Sequence, residues 1–413
     1  MIVKRVIPLF VTLVIFLLSF SVFTTGCSLT CEKPLTDLPI DSDFVEEKPP
    51  YAPVELSSEL PPEFDIITEI WGILSRDYID RGKLDAKKLS HGAAKGMMEA
   101  LDEPYTAHLT PEAHQIEMSG LRGKYQGIGA YVGIKDGQLT IVTPIVGSPA
   151  EKAGIKAGDK ILEINGEPTS GMTPTGAALK IQGPAGTTVD LLILHQGESE
   201  PVGIEIVRGE IKLESVIWEM RDDIAYIRIT QFLESTGGDF HAALKDVIKK
   251  GANGIVLDLR NNPGGILAVV VDVASQFLAE GVVVDIVDSE GACSSLLVEP
   301  GGIATDLPLI VLVNDGSASG SEVLAGALHD YGRAELAGSQ TFGKGSVQTI
   351  RSLKDGSALH LTTARWFIPS GKSIDGVGLT PDFLLELEGE ELVVWAIDYL
   401  KSQIAASCLS VRV

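Results

Sequence analysis

The sequence has 413 residues, enough for two or three domains, and 45% of them are hydrophobic, which is ample for packed cores. Its 33 lysines and arginines stand against 56 aspartates and glutamates, giving a net charge of −23. So acidic a chain lacks the basic face that binds a phosphate backbone, and this argues against a nucleic-acid-binding protein. The four cysteines are too few and too scattered to predict a metal site.

Residues 1–26 predict a targeting segment rather than part of the fold. Lys4 and Arg5 precede an almost wholly apolar run over residues 6–23, which is typical of a signal peptide or a membrane anchor. Gly26 and Cys27 then resemble a bacterial lipoprotein processing site, at which cleavage leaves a lipidated Cys27. An uncleaved anchor helix with an unmodified Cys27 is the alternative. Both readings place the chain in the cell envelope, on the outer face of a bacterial cytoplasmic membrane.

The next two segments differ sharply in composition. Residues 27–62 are rich in Pro, Asp, Glu and Ser without sustained periodicity, so they predict a disordered acidic tether. Residues 63–118 place apolar side chains at helical spacing, mainly over 64–78 and 85–101, and predict an N-terminal helical segment.

Residues 119–208 change to short strands and turns. The pattern includes a Gly-rich loop at residues 127–130, a strand closed by the Asn165-Gly166 turn, and a helix over residues 175–181. This order is similar to a PDZ domain of the circularly permuted bacterial kind. PDZ domains add an extended C-terminal peptide to a sheet edge and hold its carboxylate with backbone N–H groups.

Residues 209–389 alternate strand and helix patterns, which predicts an α/β core with a largely parallel sheet. Residues 390–413 predict a closing amphipathic helix, to residue 404, and a tail. The predicted strands of the core are 224–229, 254–259, 282–287 and 309–313, and its predicted helices are 238–249, 266–278 and 318–330.

Two motifs in this core carry the chemistry. A Ser-rich turn holding Ser319 and Gly320 lies between the apolar run 309–313 and a helical pattern, and Lys344 follows between two glycines. A serine hydroxyl becomes a nucleophile when a base takes its proton, and a lysine is that base when burial makes its neutral form accessible. N–H groups at the helix start can hold a developing oxyanion. Gln348 lies on the same side of the next strand and is predicted to hold the amine.

These motifs, with the Gly-rich loop that starts at Arg260 and ends at Gly265, resemble those of the C-terminal processing peptidases, or tail-specific proteases. The resemblance extends from about residue 62 to residue 388. It implies a crotonase-like peptidase core with an inserted PDZ domain and an N-terminal helical segment that often mediates contacts between two copies. It also implies a serine-type endopeptidase with a Ser–Lys dyad, no cofactor and no metal, acting on proteins or peptides with exposed C-termini.

Residue roles follow from the resemblance. Ser319 corresponds to the nucleophile, Lys344 to the general base and Gln348 to the residue that positions the base. The Gly320 N–H supplies one oxyanion donor, and Gly265 is preferred over its neighbour for the second. The peptide carboxylate is expected at Gly127, Ile128, Gly129 and Ala130.

Two alternatives stay open from the residues alone. A histidine could replace the lysine, but none of the seven histidines has a glycine-rich or carboxylate-paired setting in the sequence. A PDZ adaptor on a catalytically silent peptidase scaffold is the rival class of protein. The joint presence of Ser319, Lys344 and Gln348 argues against it.

Overall fold

The structure is a computed structural model that describes residues 60–135, 137–145, 147–172 and 174–410. The predicted targeting segment, Cys27 and nearly all of the predicted acidic tether lie outside the described residues. None of the helices within them has the length and apolar character needed to cross a membrane. The helices are α1 (Asp65–Asp77), α2 (Ala86–Glu99), α3 (Pro111–Leu121), α4 (Pro149–Lys152), α5 (Pro174–Ile181), α6 (Thr236–Lys249), α7 (Leu267–Ser275), α8 (Gly320–Asp330) and α9 (Gly389–Ser410).

Within the described residues, the strands form four separate sheets. They are β1 (Ala107–Leu109), β2 (Lys124–Gly127), β3 (Ala130–Lys135), β4 (Gln138–Pro144), β5 (Lys160–Ile164), β6 (Glu167–Pro168), β7 (Thr188–Leu194), β8 (Val202–Val207), β9 (Gly209–Lys212), β10 (Val216–Arg221), β11 (Ile224–Ile229), β12 (Gly254–Asp258), β13 (Val282–Asp288), β14 (Cys293–Leu297), β15 (Leu309–Val313), β16 (Glu335–Gly338), β17 (Ser346–Ser352), β18 (Ala358–Phe367) and β19 (Phe383–Leu384).

The central sheet of the core has the strand order β10-β11-β12-β15-β16-β19. Only β10 runs antiparallel to its neighbour; the other pairs are parallel. Every residue of β12 and β15 is buried, as expected of parallel strands covered on both faces. Side chains of α6, α7 and α8 pack on one face, and α9 packs on the other through Leu392, Ala396 and Leu400. The core is therefore a three-layer α/β arrangement.

The prediction for residues 282–287 was wrong in one respect. These residues form a strand, β13, but it lies in a second, antiparallel sheet of order β1-β18-β13-β14, in which β17 also pairs with β18. A short apolar run predicts a strand but not its partners, and here the partner β18 is distant in sequence. In the same sheet, β1 of the N-terminal segment pairs with β18, so this segment is joined to the core.

The PDZ unit has its own sheet, of order β3-β4-β5-β7-β8, and its own apolar core, which includes Ile141, Ile161 and Leu191. Asn165 and Gly166 both have positive φ, as the predicted Asn-Gly turn requires. The two chain segments that connect this unit to the core, β2 and β9, pair with each other antiparallel. Both connections thus run through one short ladder.

The C-terminal helix is longer than predicted. It extends from Gly389 to Ser410, so the expected tail is helical over residues 405–410, and residues 411–413 lie outside the described range. Residues 405–413 contain no glycine or proline that would end a helix. The sequence is therefore compatible with a helix that continues beyond residue 404.

Candidate active site

Ser319 stands at a strained turn between a buried strand and a helix. It follows β15 and immediately precedes α8, with φ 53° and ψ −115°. A residue with a side chain rarely adopts such dihedrals, and holding it there costs on the order of 1–3 kcal/mol. A sharp strand-to-helix turn of this kind presents a serine hydroxyl at the edge of a sheet. The turn therefore needs support from its neighbours.

That support comes first from the Gly-rich loop after β12. Asn261 and Asn314 bond reciprocally: the Asn261 N–H donates to Asn314 Oδ1 at 2.8 Å, and Asn314 Nδ2 donates to Asn261 Oδ1 at 3.0 Å. The carbonyl of Asn262 accepts from the Ser321 hydroxyl at 2.9 Å and from the Ala318 N–H at 3.0 Å. Because β12 and β15 are adjacent and parallel, both loops leave the same edge of the sheet.

The two glycines of this loop lie against the serine turn and cannot carry side chains. A Cβ on Gly264 would lie 2.9 Å from Ser319 Cβ, and one on Gly265 would lie 2.2 Å from the Phe232 carbonyl oxygen. The Gly264 N–H donates to Asn262 Oδ1 at 2.9 Å. The N–H groups of Gly265 and Gly320 donate to no other group within the described residues. Two unused donors thus border Ser319.

The carboxyl group of Glu322 joins the serine turn to the lysine loop. Glu322 is fully buried, at 0% exposure. One of its oxygens accepts from the backbone N–H groups of Ser319 and Lys344, each at 2.9 Å. The other accepts from the Thr341 hydroxyl at 2.5 Å and the Gly343 N–H at 2.7 Å. The distance between the backbones of Ser319 and Lys344 is therefore fixed by one side chain.

A second loop, which includes Asp375 and Val377, packs so closely against Gly343 and Gly345 that neither position has room for a side chain. A Cβ on Gly343, where φ is 89°, would lie 2.9 Å from the Val377 nitrogen, and a Cβ on Gly345 would lie 2.6 Å from Asp375 Cβ. The Gly345 N–H also donates to Asp375 Oδ1 at 3.1 Å. The Gly-Lys-Gly motif is thus a tightly packed turn that leaves room for only one side chain, that of Lys344.

The amine of Lys344 lies over an aromatic ring. Its Nζ is 4.8 Å from the centroid of the Tyr105 ring, and within the described residues it donates no hydrogen bond, to Ser319 or to any other group. Burial lowers the pKa of Lys344 below its ordinary value, and the nearby carboxyls of Glu103, Glu117 and Glu322 oppose that shift. The net direction favours the neutral amine that a general base requires.

Gln348 lies near the site but does not contact Lys344 through a hydrogen bond in the described residues. Its Nε2 donates to the Ser346 hydroxyl at 2.8 Å and to the Thr362 hydroxyl at 3.2 Å. The Thr362 hydroxyl in turn donates to Glu103 Oε2 at 2.9 Å. The amide of Gln348 is therefore held by its own sheet.

The predicted peptide-binding residues border a groove of the PDZ unit. The carbonyls of Ile128 and Gly129 accept from the N–H groups of Ala150 and Ile145, whereas their own N–H groups have no acceptor among the described residues. Burial raises the pKa of Tyr125, which also borders this groove, to about 12. Residues that line the groove include Ile128, Ala130, Val132, Ala178 and Ile181.

Comparisons with known proteins show the family and the domains of the chain. The profile of peptidase family S41 matches residues 223–385, and that of the PDZ domain matches residues 140–194. The carboxy-terminal-processing protease of Bartonella bacilliformis is 41% identical over 310 residues, which are 73% of this chain and 70% of that protein. The carboxy-terminal processing protease CtpA of Bacillus subtilis is 38% identical over 326 residues, 79% of this chain and 69% of that protein.

A solved structure is similar as well. The photosystem II D1 C-terminal processing protease has a TM-score of 0.51 and 30% identity, covering 79% of this chain and 94% of that one. The chain therefore belongs to peptidase family S41. Within the family it is a carboxy-terminal-processing serine protease with a PDZ domain.

Two site residues were not singled out from the sequence. Glu322 follows Ser319 by three positions, the spacing of a capping box, and this pattern could have identified it. Tyr105 gave no comparable signal, because it lies far from Lys344 in sequence and in a segment read only for its helices.

The Glu322 hydrogen bonds generate a prediction. Glu322→Gln keeps the size of the side chain but replaces an acceptor oxygen by an NH₂ group, so two buried donors lose their acceptor. Each unsatisfied donor costs about 1–3 kcal/mol, so the free energy of unfolding should fall by roughly 2–6 kcal/mol. Peptidase activity should fall at least about tenfold, because the two loops lose their common anchor.

Urea unfolding and peptide cleavage at one pH measure the two effects. Glu280→Gln is the matched control, since Glu280 is exposed and distant from the loops in sequence. A Glu322→Gln protein with the stability and activity of the control would show that this carboxyl group does not hold the two loops together.

Proposed function

We propose that this chain is an envelope-anchored endopeptidase that recognises protein C-terminal tails through its PDZ domain and cleaves them with a Ser319–Lys344 dyad on a crotonase-like core. The observation that carries the proposal is the binding of the Ser319 and Lys344 backbones by one buried carboxyl oxygen of Glu322. Three further features support it. Ser319 has strained backbone dihedrals, and Lys344 is half-buried with a lowered pKa. The N–H groups of Gly265 and Gly320 have no acceptor within the described residues.

In the proposed mechanism, neutral Lys344 takes the hydroxyl proton as Ser319 Oγ attacks the scissile carbonyl. The N–H groups of Gly320 and Gly265 bind the oxyanion of the tetrahedral intermediate. Lys344 then returns its proton to the leaving amine, and an acyl-enzyme on Ser319 remains. A water molecule, deprotonated by the same lysine, hydrolyses the acyl-enzyme.

Substrate binding has to complete this geometry. Catalytic hydrogen bonds are often long in the free enzyme and tighten in the complex with substrate. The Lys344 amine, which has no hydrogen bond in the described residues, therefore has to turn toward Ser319 for the proton transfer. Gln348 is held by Ser346 and Thr362, and its carbonyl oxygen accepts no hydrogen bond from the residues that the structure describes. This oxygen would meet the amine on that path.

The PDZ groove is proposed to read the last residues of the substrate. The unused N–H groups of Ile128 and Gly129 would bind the terminal carboxylate, and the apolar lining would take the terminal side chains. The loop has room only for glycine at position 129, because a Cβ there would lie 2.4 Å from Ser148 Cβ.

The anchoring and assembly proposals rest on the N-terminal part of the chain. The apolar run before Cys27 would tether the enzyme to the outer face of the membrane, by lipid on Cys27 or by an uncleaved helix. Helix α1 exposes Ile66, Ile70 and Ile73 by 57%, 48% and 46%, and no residue of α1 is buried. Such a face supports the proposal of a homodimer.

The dyad generates the first prediction of this proposal. Ser319→Ala and Lys344→Ala should each lower the cleavage of an unfolded protein such as casein at least about a hundredfold, since the nucleophile or its base is lost. Lys344→Arg should be equally inactive, because a guanidinium does not deprotonate in a protein. Cleavage is measured by release of labelled peptides, and folding by thermal melting.

Ser370→Ala and Lys354→Ala are matched controls, since both residues are exposed. Near-normal turnover by folded Lys344→Ala would refute the dyad. Absence of cleavage in every preparation, together with tail binding, would favour the silent adaptor.

The PDZ groove generates a second prediction. A peptide with a free apolar C-terminus should bind at least about tenfold more tightly than the same peptide amidated, because the carboxylate gains charge-assisted bonds from backbone N–H groups. Fluorescence anisotropy with labelled peptides measures both affinities on the Ser319→Ala protein, which cannot consume them. Equal affinities would mean that this groove does not read the terminus.

The predicted targeting segment generates a third prediction. Protein made with its own N-terminus in a bacterium should begin at Cys27 and carry lipid on that residue. Intact-mass analysis of the membrane fraction measures this, and a Cys27→Ala protein is the control. A mass that corresponds to an intact Met1 would establish the uncleaved anchor instead.

A further inference from the structure

We infer that Tyr105, in the N-terminal segment, is a positioning residue for the base: its ring covers the Lys344 amine, holds it in place and shields it from water. The inference rests on the proposed role of Lys344 as the base. It assigns to the N-terminal segment a part in catalysis beyond the helical packing expected from its sequence.

The contact itself is direct. Lys344 Nζ lies 4.8 Å from the centroid of the Tyr105 ring, within the range in which a ring face attracts an ammonium group. Both side chains are half-buried. The amine donates no hydrogen bond within the described residues, so the ring is the contact proposed to hold it in place.

The segment that carries the ring is anchored to the sheet that carries the lysine. The Tyr105 N–H donates to Glu103 Oε1 at 3.2 Å, and the other oxygen of Glu103 accepts from the Thr362 hydroxyl at 2.9 Å. The Thr362 N–H donates to the Thr106 hydroxyl at 3.2 Å, and the ladder between β1 and β18 begins at the next residue. The same Thr362 hydroxyl accepts from Gln348. Tyr105 is therefore fixed with respect to the strands that follow Lys344.

A ring over an amine acts on it in two opposite ways. Its quadrupole attracts the charged form, whereas its bulk removes the water that would hydrate that form. The charged and titratable groups around the amine are the carboxyls of Glu103, Glu117 and Glu322 and the Tyr105 hydroxyl, with Asp375 close to the ring. Those carboxyls favour the ammonium, so exclusion of water is what keeps the neutral amine accessible.

The test compares pH profiles of the full chain, the Tyr105→Ala variant and the Tyr105→Phe variant. The readouts are kcat and KM for a fluorogenic peptide and the rate at which a fluorophosphonate labels Ser319. Tyr105→Ala admits water, so the acidic limb of kcat/KM should move to higher pH by at least about half a unit, and kcat at pH 7 should fall more than KM changes. Tyr105→Phe keeps the ring and should restore the wild-type limb.

Two controls accompany these variants. Tyr78→Ala removes an exposed tyrosine of the same segment and should leave the limb in place. If thermal melting shows that Tyr105→Ala does not fold, Tyr105→Ser takes its place, because its hydroxyl binds water in the space left by the ring.

Several outcomes would overturn the inference. An unmoved limb in a folded ring-free variant, a ring-free variant more active than the wild type, or a Phe variant as impaired as the Ala variant would each do so. Lys344→Ala is measured alongside. If it retains activity the proposed dyad fails, whereas an inactive Lys344→Ala beside an unmoved Tyr105→Ala limb rejects only the role of Tyr105.

Discussion

The candidate active site depends on the hydrogen bonds of one buried carboxyl group, that of Glu322. Burying a carboxyl costs several kcal/mol unless hydrogen bonds replace the water it loses. Glu322 makes four, to three backbone N–H groups and one hydroxyl, and two of those N–H groups belong to Ser319 and Lys344. The same bonds hold Ser319 in dihedrals that cost on the order of 1–3 kcal/mol. The hydrogen bonds of Glu322 therefore offset the cost of its burial and fix Ser319, the proposed nucleophile, relative to the loop that carries Lys344.

This link is effective because the sheet has already placed its partners. Adjacent parallel strands β12 and β15 deliver the glycine loop and the serine turn to one edge, where the paired asparagines Asn261 and Asn314 join them. Gly264 then lies too close to Ser319 for any side chain between them. Oxyanion donors are useful only at fixed positions. For the N–H groups proposed for this role, backbone packing rather than flexible side chains sets the positions.

The local parts of this site could be predicted from sequence, and the long-range parts could not. The run before Ser319, the turn and the helix after it are short-range patterns, and each was found. The Asn165-Gly166 turn and the helix α5 of the PDZ unit are also short-range patterns, and both were predicted. The placement of β13 in an antiparallel sheet and the approach of Tyr105 to Lys344 depend on pairings with β18. Periodicity shows which face of a strand is buried but not which distant strand lies beside it.

The acidity of the chain bears on the protonation of Lys344, the proposed base. With a net charge of −23, and with the carboxyls of Glu103, Glu117 and Glu322 acting on the amine, electrostatics favours protonated Lys344. Burial acts in the opposite direction and is the larger effect, so the pKa of Lys344 is lowered. The Tyr105 ring of the N-terminal segment, 4.8 Å from Lys344 Nζ, covers one side of the amine. In this acidic protein, burial rather than a neighbouring positive charge lowers the pKa of Lys344, the proposed base.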